Sequence, residues 1–170
     1  DYDAAVAALA PLYAELGAEP PPFPLKPDAD FEAQVDAAIE ARPPILSFIF
    51  GVPPAAVLDR CRSSGIRTVG TATTVDEARA LDDAGVDAIV ATGSEAGGHR
   101  PSFLRSAEAS LTGTIALVPQ VVDVVRVPVA AAGGIADGRG VAAILALGAG
   151  AAQIGTAFLA CDESNAHPGH

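Results

Sequence analysis

The sequence predicts an α/β protein built on a parallel β-sheet. From residue 45 onward, short apolar runs alternate with segments of helical periodicity, the order expected when each strand leads into a helix. The runs are largely apolar, which is typical of parallel strands covered on both faces. A weak repeat supports this prediction, because residues 64–71, 84–91 and 148–156 each place a small-residue turn before a strand that ends in small residues.

Residues 1–44 are predicted to form a helical segment and a proline-rich crossing. Apolar residues at helical spacing predict a first helix over residues 1–16, which Gly17 ends. Five prolines within residues 19–27 predict an extended, polyproline-like segment. A second helix is expected to run to about residue 42, with Asp28 as its cap.

Residues 45–170 are predicted to hold five strand–helix units. The expected strands are 45–50, 66–70, 86–90, 127–132 and 151–155. The expected helices are 54–62, 75–84, 119–125, 138–147 and 158–163, with Thr74 as a cap and Pro119 in the first helical position, where proline is tolerated. Five strands fit either an open doubly wound sheet or the later part of a (β/α)8 barrel, and the pattern alone does not separate the two.

Composition and charge exclude several classes of protein. The chain is 50% hydrophobic and 18% charged over 170 residues, as in a folded domain. Its formal net charge of −11 disfavours nucleic acid and anionic membrane surfaces as partners, since both require a basic face. No apolar run reaches the roughly 18 residues of a transmembrane helix. The two cysteines have no CxxC spacing, so no disulfide framework or zinc site is predicted, and a reducing cytoplasm is expected.

Two loops that follow predicted strands are candidate functional sites. Gly97, Gly98 and His99 come after the strand at 86–90. Glycine lets the backbone approach a flat ligand, and histidine is the side chain that most readily exchanges a proton near neutral pH. Gly133 and Gly134 lie where a strand leads into a helix, so their N–H groups and the helix dipole favour a phosphate.

A third loop contains Gln153, Gly155 and Thr156 before the last short helix. In barrels, the loops after the last two strands often form a phosphate site. An ordinary turn explains each loop taken alone, whereas their order on consecutive strand–helix units favours a binding site. Glu95, the acid within the first loop, is interpreted as a solvated or hydrogen-bonded carboxylate and not as a catalytic group.

Together the three loops resemble the nitronate monooxygenase family, formerly called 2-nitropropane dioxygenases. The resemblance lies in residues 95–99 (EAGGH), 127–138 (VPVAAAGGIADG) and 153–158 (QIGTAF). Members of that family are FMN enzymes with a TIM-barrel fold. The resemblance therefore implies a partial (β/α)8 TIM barrel, with about five parallel strands that correspond to its later part.

The resemblance also implies roles for the matching residues. His99 matches the catalytic histidine, which removes the α-proton of a nitroalkane or orients a nitronate. The implied reaction oxidises alkyl nitronates or nitroalkanes with O2 to a carbonyl compound and nitrite, without a metal, and a homo-oligomer is compatible with it. The positions that match the FMN site are Thr92, Gly97, Gly98, Gly133, Gly134, Gln153, Gly155 and Thr156.

Three alternatives stay open. FMN-dependent enoyl-[acyl-carrier-protein] reductase II shares the same three motifs, and an NAD(P)H:quinone reductase has the same scaffold. The family also carries three barrel strands before the region that matches the start of this chain, and the chain contains no methionine. We therefore expect the 170 residues to be the C-terminal portion of a longer enzyme, so an inactive fragment is the third alternative.

Overall fold

A computed structural model describes residues 2–23 and 30–167. The chain divides into two compact units, Asp1–Gln34 and Val35–His170. In the first unit, the ring of Tyr2 packs edge-on against Phe23, with 5.1 Å between the ring centroids. The predicted cap Asp28 lies outside the described residues, as do residues 24–27 of the predicted proline-rich crossing.

The secondary structure follows the predicted alternation. The α-helices are α1 (Tyr2–Leu16), α2 (Phe31–Glu40), α3 (Ala55–Ser63), α4 (Val75–Ala84), α5 (Thr114–Val122) and α6 (Gly138–Ala146). The strands are β1 (Ile45–Phe48), β2 (Arg67–Ala72), β3 (Ala88–Thr92), β4 (Val129–Ala132) and β5 (Ala151–Gln153). Two short 3₁₀ turns cover Glu108–Ser110 and Thr156–Ala160. None of the helices within the described ranges combines the length and apolar character needed to cross a bilayer.

The five strands form one sheet in the order β1-β2-β3-β4-β5, and every neighbouring pair is parallel. A doubly wound sheet reverses its strand order at a switch point, where ligands bind. Here the order runs in one direction without a reversal, as it does around a barrel. The prediction of an α/β protein with five parallel strands from a (β/α)8 barrel is therefore confirmed.

The main core lies between the sheet and helices α4, α5 and α6. Each element contributes a large aliphatic side chain that is at most 2% exposed: Leu81 from α4, Ile89 from β3, Leu117 from α5 and Ile144 from α6. Burying a side chain of this size stabilises a fold by about 1.5–3 kcal/mol relative to leaving it in water. This core holds the carboxyl ends of the middle strands in fixed positions.

The predicted helix boundaries are most accurate where residues next to the helix, such as a cap, determine its ends. Helix α4 has the predicted limits, and Thr74 caps it by accepting a hydrogen bond from the Glu77 N–H at 3.3 Å. The expectation that Pro119 begins its helix is wrong, because α5 starts five residues earlier and Pro119 lies in its interior. A carboxylate distant in sequence, Glu95, accepts the Thr114 N–H at the start of α5, and this tertiary contact sets the true start.

Candidate active site

A cleft of about 690 Å³ opens at the carboxyl ends of the strands. This is the edge at which parallel α/β proteins bind their ligands. All nine of the residues predicted for the site line this one cleft, although their chemical roles remain predictions. They are Thr92, Gly97, Gly98, His99, Gly133, Gly134, Gln153, Gly155 and Thr156.

The first and second glycine loops lie directly against each other. A Cβ placed on Gly133 would come within 2.9 Å of the Ala96 backbone nitrogen, and one on Gly134 within 3.3 Å of the Glu95 Cβ. Both glycines also have positive φ, at +105° and +69°, which L side chains rarely adopt. The glycines are therefore required by both space and backbone conformation.

The third loop reaches the first one at a single close approach. A Cβ on Gly97 would lie 2.6 Å from the Thr156 Oγ1, so a side chain at this position would have to displace the Thr156 hydroxyl. In contrast, a Cβ on Gly98 or Gly155 would meet nothing within 4 Å. Open space beside those two residues leaves their backbone accessible to a ligand in the cleft.

The imidazole of His99 is exposed at the cleft and lies edge-on to the ring of Phe50. The ring centroids are 6.2 Å apart and the planes meet at 80°. Phe50 itself has φ +61°, an uncommon conformation for a residue other than glycine. Backbone strain of this kind clusters at functional sites, and here it brings an apolar ring against the candidate base.

The carboxylate of Glu95 is occupied by hydrogen bonds at the start of α5. It accepts the Thr114 N–H at 2.9 and 3.0 Å, and the Thr114 Oγ1 lies 3.0 Å from the Glu95 Oε2. Burial alone would raise the pKa of Glu95, but hydrogen bonds from its own backbone N–H, from Thr114 and from the Ser94 side chain outweigh it and hold the pKa below its ordinary value of 4.5. Glu95 is therefore the hydrogen-bonded loop carboxylate that the sequence predicts.

Sequence reasoning missed Glu77, which holds the segment that follows His99. This carboxylate is fully buried and accepts hydrogen bonds from the Phe103 and Leu104 N–H groups at 2.6 and 3.1 Å. It also accepts from the N–H and hydroxyl of Thr73, at 2.7 and 2.6 Å. The spacing of Thr74 and Glu77 matches a capping box, and this signal could have identified Glu77.

Sequence reasoning also missed two polar residues that join separate loops, Arg100 and Thr114. The Oγ1 of Thr114 lies 2.9 Å from the Gly133 carbonyl oxygen and so connects the start of α5 to the second glycine loop. No short-range motif marks either residue. Among the residues that the structure describes, no group of three or more His, Cys, Asp or Glu side chains is placed to hold a metal ion.

Replacing Glu77 with Gln is expected to destabilise the fold by about 2–4 kcal/mol at neutral pH, because an amide cannot accept all four hydrogen bonds. Burial alone would raise the pKa of Glu77, but the bonds from Thr73, Phe103 and Leu104 dominate and hold it below 4.5. The ionised form therefore stabilises the fold above about pH 4.5, and this contribution is lost as the pH falls through the lowered pKa.

Urea unfolding of wild type and Glu77→Gln between neutral and acidic pH measures this effect. The stability of the variant should depend less on pH below about 4.5. Asp59→Asn is the matched control, since the 69% exposed Asp59 carboxylate pairs with Arg62 at the surface and should change stability by about 0.5 kcal/mol at most. Equal losses in the two variants would contradict the assigned role of Glu77.

Comparison with known proteins gives consistent similarities. The sequence profile of the nitronate monooxygenase family matches residues 6–170. A probable nitronate monooxygenase of Staphylococcus aureus (strain JH9) is 49% identical over 159 residues, which are 93% of this chain and 45% of the relative. The chain thus spans about half the length of the curated relatives it matches.

Solved structures show the same similarity in three dimensions. A nitroalkane oxidase from Streptomyces ansochromogenes superposes with a TM-score of 0.86 at 42% identity, covering 96% of this chain and 48% of the other. A mutant of FabK from Thermotoga maritima superposes with a TM-score of 0.72 at 38% identity, covering 85% of this chain and 44% of the other.

Proposed function

The chain belongs to the nitronate monooxygenase family, and from this premise we propose that its protein oxidises alkyl nitronates or nitroalkanes. The proposed reaction uses bound FMN and O2 and yields a carbonyl compound and nitrite. The observation that carries the proposal is the convergence of three glycine loops on one cleft that also exposes His99. A base beside a cofactor cradle is the arrangement that proton abstraction next to a nitro group requires.

The residues in the cleft fit FMN. Gly133 and Gly134 have positive φ just before helix α6, and Gly155 has open space where a side chain would lie. A phosphate here would be held by backbone N–H groups, since the described residues that line the cleft include no Lys or Arg. We assign Gly133, Gly134, Gly155 and Thr156 to the phosphate.

The remaining predicted residues would contact the flavin ring. Thr92 and Gln153 end strands β3 and β5, and Gly97 and Gly98 allow the backbone to approach a flat ring. When bound, FMN supplies the electron acceptance and the chemistry with O2 that side chains do not provide. The protein contributes position and exclusion of water, and it handles the substrate proton.

His99 is the residue that we assign to this proton. A neutral nitroalkane must lose a proton from the carbon bearing the nitro group, and the imidazole of His99 accepts it. A preformed nitronate has already lost that proton, so His99 only needs to orient its anionic oxygens. Ile49 also lines the cleft, where it offers an apolar contact to the alkyl chain.

A second candidate is a flavin reductase that takes its electrons from NAD(P)H. The structural similarity to FabK favours this class, which includes enoyl-[acyl-carrier-protein] reductase II and NAD(P)H:quinone reductases as the alternatives from the sequence motifs. The two candidates differ in their electron donor. A nitronate monooxygenase takes electrons from the nitronate, whereas the reductases require a nicotinamide.

The test uses the purified protein that carries this sequence, supplied with FMN. We expect the visible absorption of a bound oxidised flavin, together with nitrite formation and O2 consumption on addition of an alkyl nitronate and no nicotinamide. Rapid flavin reduction by NAD(P)H, without nitrite formation from an alkyl nitronate or a nitroalkane, would favour the reductase. A protein that binds flavin yet oxidises neither nitronate nor NAD(P)H would overturn both candidates.

A further inference from the structure

Arg100, the residue that follows His99, donates hydrogen bonds to four backbone carbonyl oxygens. Arg100 donates through Nη1 to the carbonyl oxygens of Thr92 and Gly93, at 2.9 and 2.8 Å. These carbonyls belong to the last residue of strand β3 and to the residue after it. The guanidinium therefore binds the point where the His99 loop leaves the sheet.

The other end of the same guanidinium binds two further segments. Its Nη2 donates to the carbonyl of Thr73, which follows strand β2, at 3.4 Å, and to the carbonyl of Ser110, which ends the 3₁₀ turn before α5. Thr73 and Ser110 are fully buried, so their carbonyls need partners inside the protein. One side chain thus joins three segments, and one of them, the end of β3, lines the cleft through Thr92.

Two acidic residues favour the charged form of Arg100. Burial lowers the pKa of Arg100, and the negative charges of Glu77 and Glu95 offset part of that effect. Glu77 also holds the Phe103 and Leu104 N–H groups, and Glu95 holds the start of α5. The two carboxylates therefore stabilise the same loop that the arginine anchors.

The two sides of His99 differ in how firmly they are held. On the N-terminal side lie Gly97 and Gly98, and glycine has the greatest backbone freedom of all residues. On the C-terminal side lies Arg100 with its carbonyl contacts, followed by the buried Pro101, whose φ is restricted by its ring. The C-terminal side of His99 is therefore held by the hydrogen bonds of Arg100 and the ring of Pro101, in addition to the packing of Gly97 against Thr156 on the N-terminal side.

We propose that Arg100 is a positioning residue, which holds the His99 imidazole at the cleft by clamping the carbonyl groups at the ends of β2 and β3. The proposal rests on the proposed role of His99 as the base and assigns Arg100 no contact with substrate or cofactor. Arginine suits this task better than lysine, because its planar fork reaches several acceptors in fixed directions, whereas an ammonium is a single point charge.

The test compares Arg100→Met and Arg100→Lys in the FMN-loaded protein. Misplacing a reacting group by about 1 Å can cost about 100-fold in rate. We therefore expect Arg100→Met to lower kcat on a neutral nitroalkane by about 10- to 100-fold, with flavin content and KM changed little. Turnover of a preformed nitronate should fall much less, and Arg100→Lys should restore part of the loss.

Arg105→Met is the matched control. Arg105 lies in the same loop but pairs at the surface with Asp76 at 2.7 Å, so its loss should leave both activities unchanged. Equal losses on nitroalkane and nitronate in Arg100→Met would show a merely structural role and overturn the proposal. Unchanged turnover of the nitroalkane would overturn it as well. If Arg100→Met does not fold, the same two outcomes measured in Arg100→Lys would overturn the proposal.

Hydrogen exchange separates this proposal from the proposed function. We expect Arg100→Met to speed amide exchange across residues 97–103 while amides of the core helix α4 keep their protection. If wild type oxidises neither the nitroalkane nor the nitronate, the proposed function fails. Hydrogen exchange alone then tests whether Arg100 holds the His99 loop in place. Unchanged exchange in residues 97–103 would then overturn the clamp.

Discussion

Replacing His99 with Asn is expected to lower the turnover of neutral nitroalkanes by about 100- to 10,000-fold, the usual contribution of a positioned general base. Asparagine retains a polar side chain of similar reach but has no group that accepts a proton at neutral pH. His99 is exposed and its neighbour Phe50 makes only an edge contact, so the fold should be unaffected. Stopped-flow reduction of the bound flavin by a nitroalkane measures the effect directly.

A preformed nitronate supplies the internal control. Its turnover should fall far less in His99→Asn, because no proton has to be removed from carbon. His167→Asn is the matched histidine variant, since His167 is exposed near the end of the described chain and should leave both rates as they are. If His99→Asn processes nitroalkanes at the wild-type rate and still binds flavin, His99 is not the base.

Replacing Gly93 with Ala is expected to have the largest effect on stability. An added Cβ would lie 2.0 Å from the Thr114 Oγ1, 2.5 Å from the Thr114 backbone nitrogen and 2.6 Å from the Glu95 Oε2. The backbone of α5 cannot shift without breaking the carboxylate contact that starts the helix. Overpacking together with loss of charged hydrogen bonds should cost about 3–5 kcal/mol.

Gly138→Ala is the control for this substitution. A Cβ there meets nothing within 4 Å, and Gly138 is the first residue of α6, so the change should be neutral or stabilise by up to about 1 kcal/mol. Urea unfolding of both variants at neutral pH measures the difference. A Gly93→Ala protein as stable as wild type would contradict the close contact between Gly93, which follows β3, and the start of α5.

The parts of the fold that were predictable are those with short-range causes. The ten residues of α4 could be delimited because a capping threonine precedes them and Gly85, in the left-handed conformation, follows them. The start of α5 could not be predicted in the same way. It depends on Glu95, which lies 19 residues before Thr114, and no local pattern records that hydrogen bond.

The residues of the candidate site also differ in how far the sequence predicts them. The glycine pairs and His99 stand out in the sequence, because backbone freedom and proton exchange are properties of single residues. Arg100 does not stand out, because a charged residue in a loop normally indicates a solvated surface. The capping-box spacing marks Glu77 as part of a helix cap, but it does not predict that this carboxylate is buried. Burial against backbone N–H and carbonyl groups gives these two side chains their roles, and burial is a property of the folded chain.

The sequence by itself determined the strand–helix alternation, the three glycine loops and the family they resemble, since all of these depend only on the types of residues and their spacing. Only the tertiary structure decided that the strands follow one another in order around a single sheet, and that Gly97 meets Thr156 and Gly133 meets Ala96. It also decided that the residue after His99 is an anchor. The physical reason is that hydrogen bonds and close approaches between distant segments depend on the packing that brings them together, and no local preference encodes that packing.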